Sequence, residues 1–120
     1  MIVPNPIAAL AVEYWKLIKS FERAAELAPE GARSRLLAQA RYSNTKLESI
    51  LESLGMRVIT FDGLPFEVQM PAVAINVDQF SGGKRGRVER TLEPAIMSDM
   101  TVIATGKVFL TVSEENSAEQ

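Results

Sequence analysis

Few side chains in this sequence could do chemistry. The 120-residue chain has no His and no Cys. That removes imidazole and thiolate metal ligands, cysteine nucleophiles, histidine bases and disulfides together. Three carboxylates near the middle remain, with one glycine-rich basic stretch. Asp62, Glu67 and Asp78 could pair for acid–base work or hold a hard cation if the fold converged them. They fall at predicted turns and strand ends, where solvated carboxylates are ordinary, and no ligand spacing joins them. The stretch SGGKRGR, residues 81–87, has the composition of a phosphate cradle. Such a cradle needs backbone N–H groups at a helix N-terminus beside its lysine. Here a strand is predicted to follow and the G-x-x-x-x-G-K-[ST] spacing is absent. The stretch therefore reads as a solvated hairpin tip. No catalytic residue, cofactor or metal is expected, and the chain reads as a non-enzyme.

Composition narrows the partners. Net charge is −2, which gives no electrostatic reason to favour nucleic acid or an anionic membrane. No apolar run approaches the roughly 20 residues of a membrane span. The opening MIVPNPIAALAVEYW lacks a basic n-region and is broken by prolines and Glu13, unlike a signal peptide. A soluble, cytoplasmic protein is expected.

The elements that must position any site change character at Gly55. Asn5-Pro6 reads as an N-cap with proline at the first helical position. From there Ile7, Leu10, Ala11, Tyr14, Leu17, Ile18, Phe21, Ala25 and Ala28 follow an i, i+3, i+4, i+7 stripe. Tyr14 and Trp15 read as packing residues rather than a binding platform. Pro29-Glu30-Gly31 is predicted to stop this helix. A second helix is predicted from Ala32 or Arg33 to Leu54, with Leu36, Leu37, Ala40, Leu47, Ile50, Leu51 and Leu54 as its stripe. The stripe is weak around Ser43-Asn44. Two such helices and a short loop make an antiparallel hairpin, which cannot bury both stripes by itself. A second copy, giving a dimeric four-helix bundle, is the simplest completion. The marginal size of a helical unit of about 55 residues points the same way.

After Gly55 the period becomes that of strands. Candidates are residues 56–61, 66–70, 72–77, 87–92 and 101–112, the last with Gly106-Lys107 marking a bulge or a division into two strands. Asp62-Gly63 and Ser98-Asp99 read as turns. The acidic tail, 113–120, is expected to be disordered. The predicted class is α+β: a helical hairpin over residues 1–55, a small, mostly antiparallel β-domain over 56–112, then the tail. Pro65, Phe66, Leu92 and Leu110 are apolar residues in a sheet with too few elements to cover both faces. Each belongs either to the β-core or to an interaction surface.

The layout resembles the GrpE family, nucleotide exchange factors of DnaK-type heat-shock chaperones. Four stretches carry the likeness, in order and with small indels over nearly the whole chain. LIKSFERAA, residues 17–25, resembles the family's L-x-x-x-x-D-x-L-E-R-A-L helix. KLESILESLGMRVI, 46–59, resembles its L-x-x-x-L-x-x-x-G-V-x-x-I junction. GLPFEVQMPAVA, 63–74, stands where the family has G-x-x-F-D-P-x-x-H-x-A. Residues 87–112 stand where it has V-x-x-v-x-x-G-Y-x-l-x-d-r-v-l-R-p-A-x-V-x-V. The departures are Glu67-Val68 for the acidic-proline pair, Pro71 at the histidine, Ala95-Ile96 at the Gly-Tyr pair and Ala104 at the arginine. The family's long N-terminal helix has no counterpart in this sequence.

The resemblance implies a homodimeric cochaperone that binds the nucleotide-binding domain of a DnaK-type chaperone and promotes ADP release by stabilising the open cleft. It implies partner contacts at Arg23 and Leu27 on the first helix and at Pro65, Phe66, Leu92 and Leu110 on the β-domain. The alternative expectation is a dimeric interaction module of the same fold without exchange activity.

Overall fold

A computed structural model describes residues 5–80 and 86–112. The predicted tail and most of the predicted basic tip, residues 113–120 and 81–85, lie outside the described residues. The architecture is α+β. Helices α1 (Pro6–Glu26) and α2 (Glu30–Ser53) form an N-terminal antiparallel hairpin. They are followed by β1 (Arg57–Ile59), β2 (Ala72–Ala74), a 3-10 turn (Val77–Phe80), β3 (Gly86–Glu93), β4 (Ala95–Ser98), β5 (Thr101–Ala104) and β6 (Gly106–Val112).

Local chemistry explains both helix starts. The Asn5 side chain accepts from Ala8 N–H at 3.0 Å, with Pro6 at the first helical position. This satisfies one of the orphan donors of the first turn. Helix α2 begins earlier than the sequence predicts, because Pro29 is its N-cap and its carbonyl accepts from Ala32 and Arg33 N–H. Glu30, expected in the connection, instead opens the helix, where a carboxylate suits the N-terminal dipole. The end of α2 is as expected. Gly55, at φ +76°, lets its N–H reach the Glu52 carbonyl while Met56 N–H reaches the Leu51 carbonyl. This is a Schellman closure, and the Leu51 and Met56 side chains meet in one core.

The strands form two three-stranded sheets. Sheet A has the order β1-β4-β5 and is antiparallel. Sheet B has the order β2-β6-β3, with β2 parallel and β3 antiparallel to β6. Strand β4 falls where the sequence reading placed no strand, and residues 66–70, predicted as one, are turn and irregular chain. The division of 101–112 into two strands matches the second of the two readings of Gly106-Lys107.

Two hydrophobic cores result, and they do not divide at Gly55. The first joins Ala8, Ala11, Val12, Trp15 and Ile18 of α1 to Ala40, Leu47 and Leu51 of α2, Met56, and Ile96 of sheet A, with Val58, Ile103 and Ala104 packed against it. The second holds Phe61, Ala74, Val88, Ala95, Val108 and Leu110 around sheet B. Sheet A thus belongs with the hairpin, and sheet B is a lobe of its own. Adjacent residues Ala95 and Ile96, both fully buried, point into different cores, as alternation along a strand requires. The chain passes between the sheets at Pro94 and at Thr105. Gly106 is needed there, because a Cβ would lie 2.9 Å from the Glu93 carbonyl oxygen and 3.0 Å from the Ala95 nitrogen.

Candidate interaction surfaces

The residues singled out for chemistry do not converge. Asp62 caps the chain onto β3: its Oδ1 accepts from Thr91 N–H at 3.1 Å, while the Thr91 hydroxyl accepts from Phe61 N–H at 2.9 Å. Its role is structural. Glu67 lies in an exposed turn and Asp78 in the 3-10 turn. Among the described residues, no group of three or more acidic side chains is arranged to hold a metal.

The six predicted contact residues divide into four settings. Leu110 is 3% exposed and belongs to the sheet B core. It is therefore corrected from a partner contact to a packing residue. Its inward direction follows from the register, since it sits opposite Val88, also buried. Pro65 and Phe66 lie together at one end of the lobe. Pro65 is exposed and bridges Arg87, and Phe66 N–H donates to the Gly86 carbonyl at 3.0 Å. The Phe66 ring is half-buried against the lobe core. Leu27 is 89% exposed at the C-cap of α1.

Arg23 and Leu92 are brought together. They line one cleft of about 620 Å³ between α1 and β3, with Trp15, Lys19, Thr60, Asp62 and Arg90 among the other lining residues. Lys16, another lining residue, is held in ion pairs. Lys16 Nζ lies 3.0 Å from Glu93 Oε2 and 3.3 Å from Glu13 Oε2, and Lys107 Nζ lies 3.8 Å from Glu93 Oε1. Glu93 therefore ties the hairpin to the lobe beside the crossover at Pro94. The hydrogen bond that Lys16 donates to Glu93, then the one it donates to Glu13, raises its ammonium above the usual lysine range. A raised folded value means the stabilisation is complete below the ordinary lysine value and is lost only as pH climbs through the raised one. The tie is thus insensitive to lysine titration at neutral pH. Lys19 pairs with Glu22 at 3.3 Å and lies 5.3 Å from the centre of the Trp15 ring.

A second surface was only partly anticipated. The sequence places the α1 stripe on Ile7, Leu10, Ala11, Tyr14, Leu17, Ile18, Phe21, Ala25 and Ala28. Of these Ala11, Ile18 and Ala25 are buried, together with Ala8, Val12 and Trp15. Ile7, Leu10, Tyr14, Leu17 and Phe21 stay exposed, Leu10 and Leu17 at 69% and 68%. At 3.6 residues per turn the exposed stripe is turned about 100° from the buried one. Helix α1 is therefore apolar on two adjacent faces, and the sequence pattern merges them. Ile50 and Leu54 of α2, each half exposed, extend the surface, which has a shallow apolar groove between Leu10, Tyr14, Leu47 and Ile50.

Sequence reasoning missed Arg90. Nothing local distinguishes it, because its setting depends on α1 lying across β3. Among the described residues no helix is long and apolar enough to cross a membrane. Comparison with protein-family models, curated proteins and solved structures gives no match.

Proposed function

We propose that the chain is a GrpE-like cochaperone: a homodimer, acting in the cytoplasm, that binds the nucleotide-binding domain of a DnaK-type chaperone and speeds ADP release by stabilising the open cleft. The observation that carries this reading is the meeting of Arg23 and Leu92. The resemblance marks them separately, on α1 and β3, and both line one cleft. Two of the departures from the family pattern concern packing rather than surface. Ala95 and Ile96, at the Gly-Tyr position, are fully buried, one in each core. The change at Ala104 packs against the helical core.

The exposed α1 stripe supplies the dimer. Ile7, Leu10, Leu17 and Phe21, with Ile50 and Leu54 of α2, would be covered by the same surface of a second copy, completing a four-helix bundle. Burying a large apolar side chain is worth about 1.5–3 kcal/mol, so a handful per subunit suffices to order the interface.

Exchange by this route needs no catalytic group. The factor shifts the chaperone between closed and open forms only by as much as it prefers the open one. By linkage, nucleotide must weaken its binding by the same factor. The test is release of fluorescent ADP from the DnaK-type chaperones of the source cell. Faster release with one of them is expected, and unchanged release with all of them would overturn the proposal. Stable binding without faster release would instead identify an interaction module of the same fold.

A further inference from the structure

We infer that the second copy lays its α2 along α1 of this chain, in a register set by an ion pair between Glu13 and Lys46 of the partner subunit. The inference deepens the dimer proposed above and rests on it. Each helix carries an exposed ridge beside the apolar groove of the hairpin. On α1 the ridge is Leu10, Glu13 and Leu17; on α2 it is Tyr42, Lys46 and Ile50. Residues three or four apart are neighbours on a helix surface, so each ridge reads apolar, charged, apolar. Tyr42 is exposed and belongs to neither core. Lys46 has no ion pair with a described residue. Glu13 holds Lys16 through Oε2 alone and is otherwise open to solvent.

The hairpin fixes the levels of these residues. Leu10 and Tyr14 share the groove with Leu47 and Ile50, and the two helices rise equally in opposite directions. Glu13 is therefore level with Lys46, and Leu17 with Tyr42, to within about one residue's rise. A two-fold axis along the bundle keeps these levels in the second copy. With α1 against the partner's α2, Leu10 meets the partner's Ile50, Glu13 meets the partner's Lys46 and Leu17 meets the partner's Tyr42. The axis repeats the same contacts on the other side. Closing the bundle with like helices adjacent would instead set Glu13 against the partner's Glu13, or Lys46 against the partner's Lys46. Apolar residues flank both positions, so like charges there would repel with little screening. Charge complementarity thus selects unlike helices as neighbours. Arg35, two turns from Tyr42 on the same flank of α2, comes level with Ala24 and has no acid to meet.

The experiment is sedimentation equilibrium of the full chain and its charge-reversal variants. Glu13→Lys and Lys46→Glu should each weaken self-association by about tenfold or more, because each sets like charges together at two symmetric contacts. Arg35→Glu should leave it within about twofold. The double variant, Glu13→Lys with Lys46→Glu, should recover the association. So should an equimolar mixture of the two single variants, since a dimer of one with the other has opposite charges at both contacts. A pairing within one chain could not be restored by mixing. Both side chains are exposed, so circular dichroism should show the helices intact. Unchanged association of both single variants would overturn the arrangement and leave the dimer standing. Weakening that neither the double variant nor the mixture recovers would do the same. A single-chain mass for the unaltered protein would overturn the arrangement and the proposed dimer together.

Discussion

The hairpin with sheet A and the lobe around sheet B bury their apolar residues in different ways. The lobe fills its interior, with Val88, Val108, Ala95, Leu110 and Phe61 at 3% exposure or less, and leaves Val73, Ile75 and Val77, on and just after its edge strand β2, more than half exposed. The hairpin closes on one side only. Leu51 and Trp15 are buried against sheet A, while Leu10 and Leu17 on the next face of the same helix face outward. A long helix in a two-helix unit has more apolar circumference than one neighbour can cover. The lobe, built from short strands, has no such surplus in its interior. The difference locates the helical surplus that a second copy is proposed to cover.

The comparison can be broken at the crossover. Gly106→Val places side-chain atoms against the Glu93 carbonyl and the Phe61 ring, which a Cβ alone would meet at 2.9 Å and 3.1 Å. A cost of about 3 kcal/mol is expected for overpacking of this kind. If the two cores are separate units, hydrogen exchange in β2, β3 and β6 should rise far more than in α1. A uniform rise would show one cooperative core instead. On the other side, Leu51→Ala removes a side chain that is 1% exposed. It should cost about 3 kcal/mol in denaturant unfolding, with the largest loss of protection in the helices.

A smaller effect probes the lobe's polar stitching. Buried Asn76 donates to the Leu110 carbonyl at 3.0 Å and accepts its N–H at 2.9 Å, standing in for a backbone partner where β2 has ended. Asn76→Ala leaves both groups unpaired and should cost about 2 kcal/mol by chemical denaturation. A loss close to zero would mean that water replaces the side chain there. The smallest effect on the single chain is expected from Leu17→Lys. Its side chain is 68% exposed, so the intrinsic stability of the subunit should move by about 0.5 kcal/mol at most. The same change should abolish self-association.

Much of this was legible in the sequence. The hairpin, the helix end at Gly55, the strand-rich second half and a break of either kind, bulge or division, at Gly106 follow from periodicity and backbone preference, which act locally. What was not legible depends on who neighbours whom. Strand β4 is only four residues long, and its pairing with β1 and β5 is set by tertiary contacts rather than by a marked alternating pattern. The split into two cores follows from Ala95 and Ile96 pointing in opposite directions at a point where the chain changes sheets. Leu110 reads equally well as surface or core until β3 is laid beside it. The α1 stripe reads as one face and is two, because the pattern reports that residues are apolar but not which neighbour takes them. Of the candidate site, Arg23 and Leu92 stand on separate stretches, each marked only by the family resemblance. Their shared cleft, and Arg90 within it, exist only once α1 crosses β3.

The difference between the half-covered hairpin and the closed lobe is tested most directly by molar mass in solution. Light scattering on the unaltered chain should give twice the 13.2 kDa of one chain, and Leu17→Lys should bring it down to one while leaving the circular dichroism of the helices in place. A single-chain mass for the unaltered protein at concentrations well above micromolar would contradict the account.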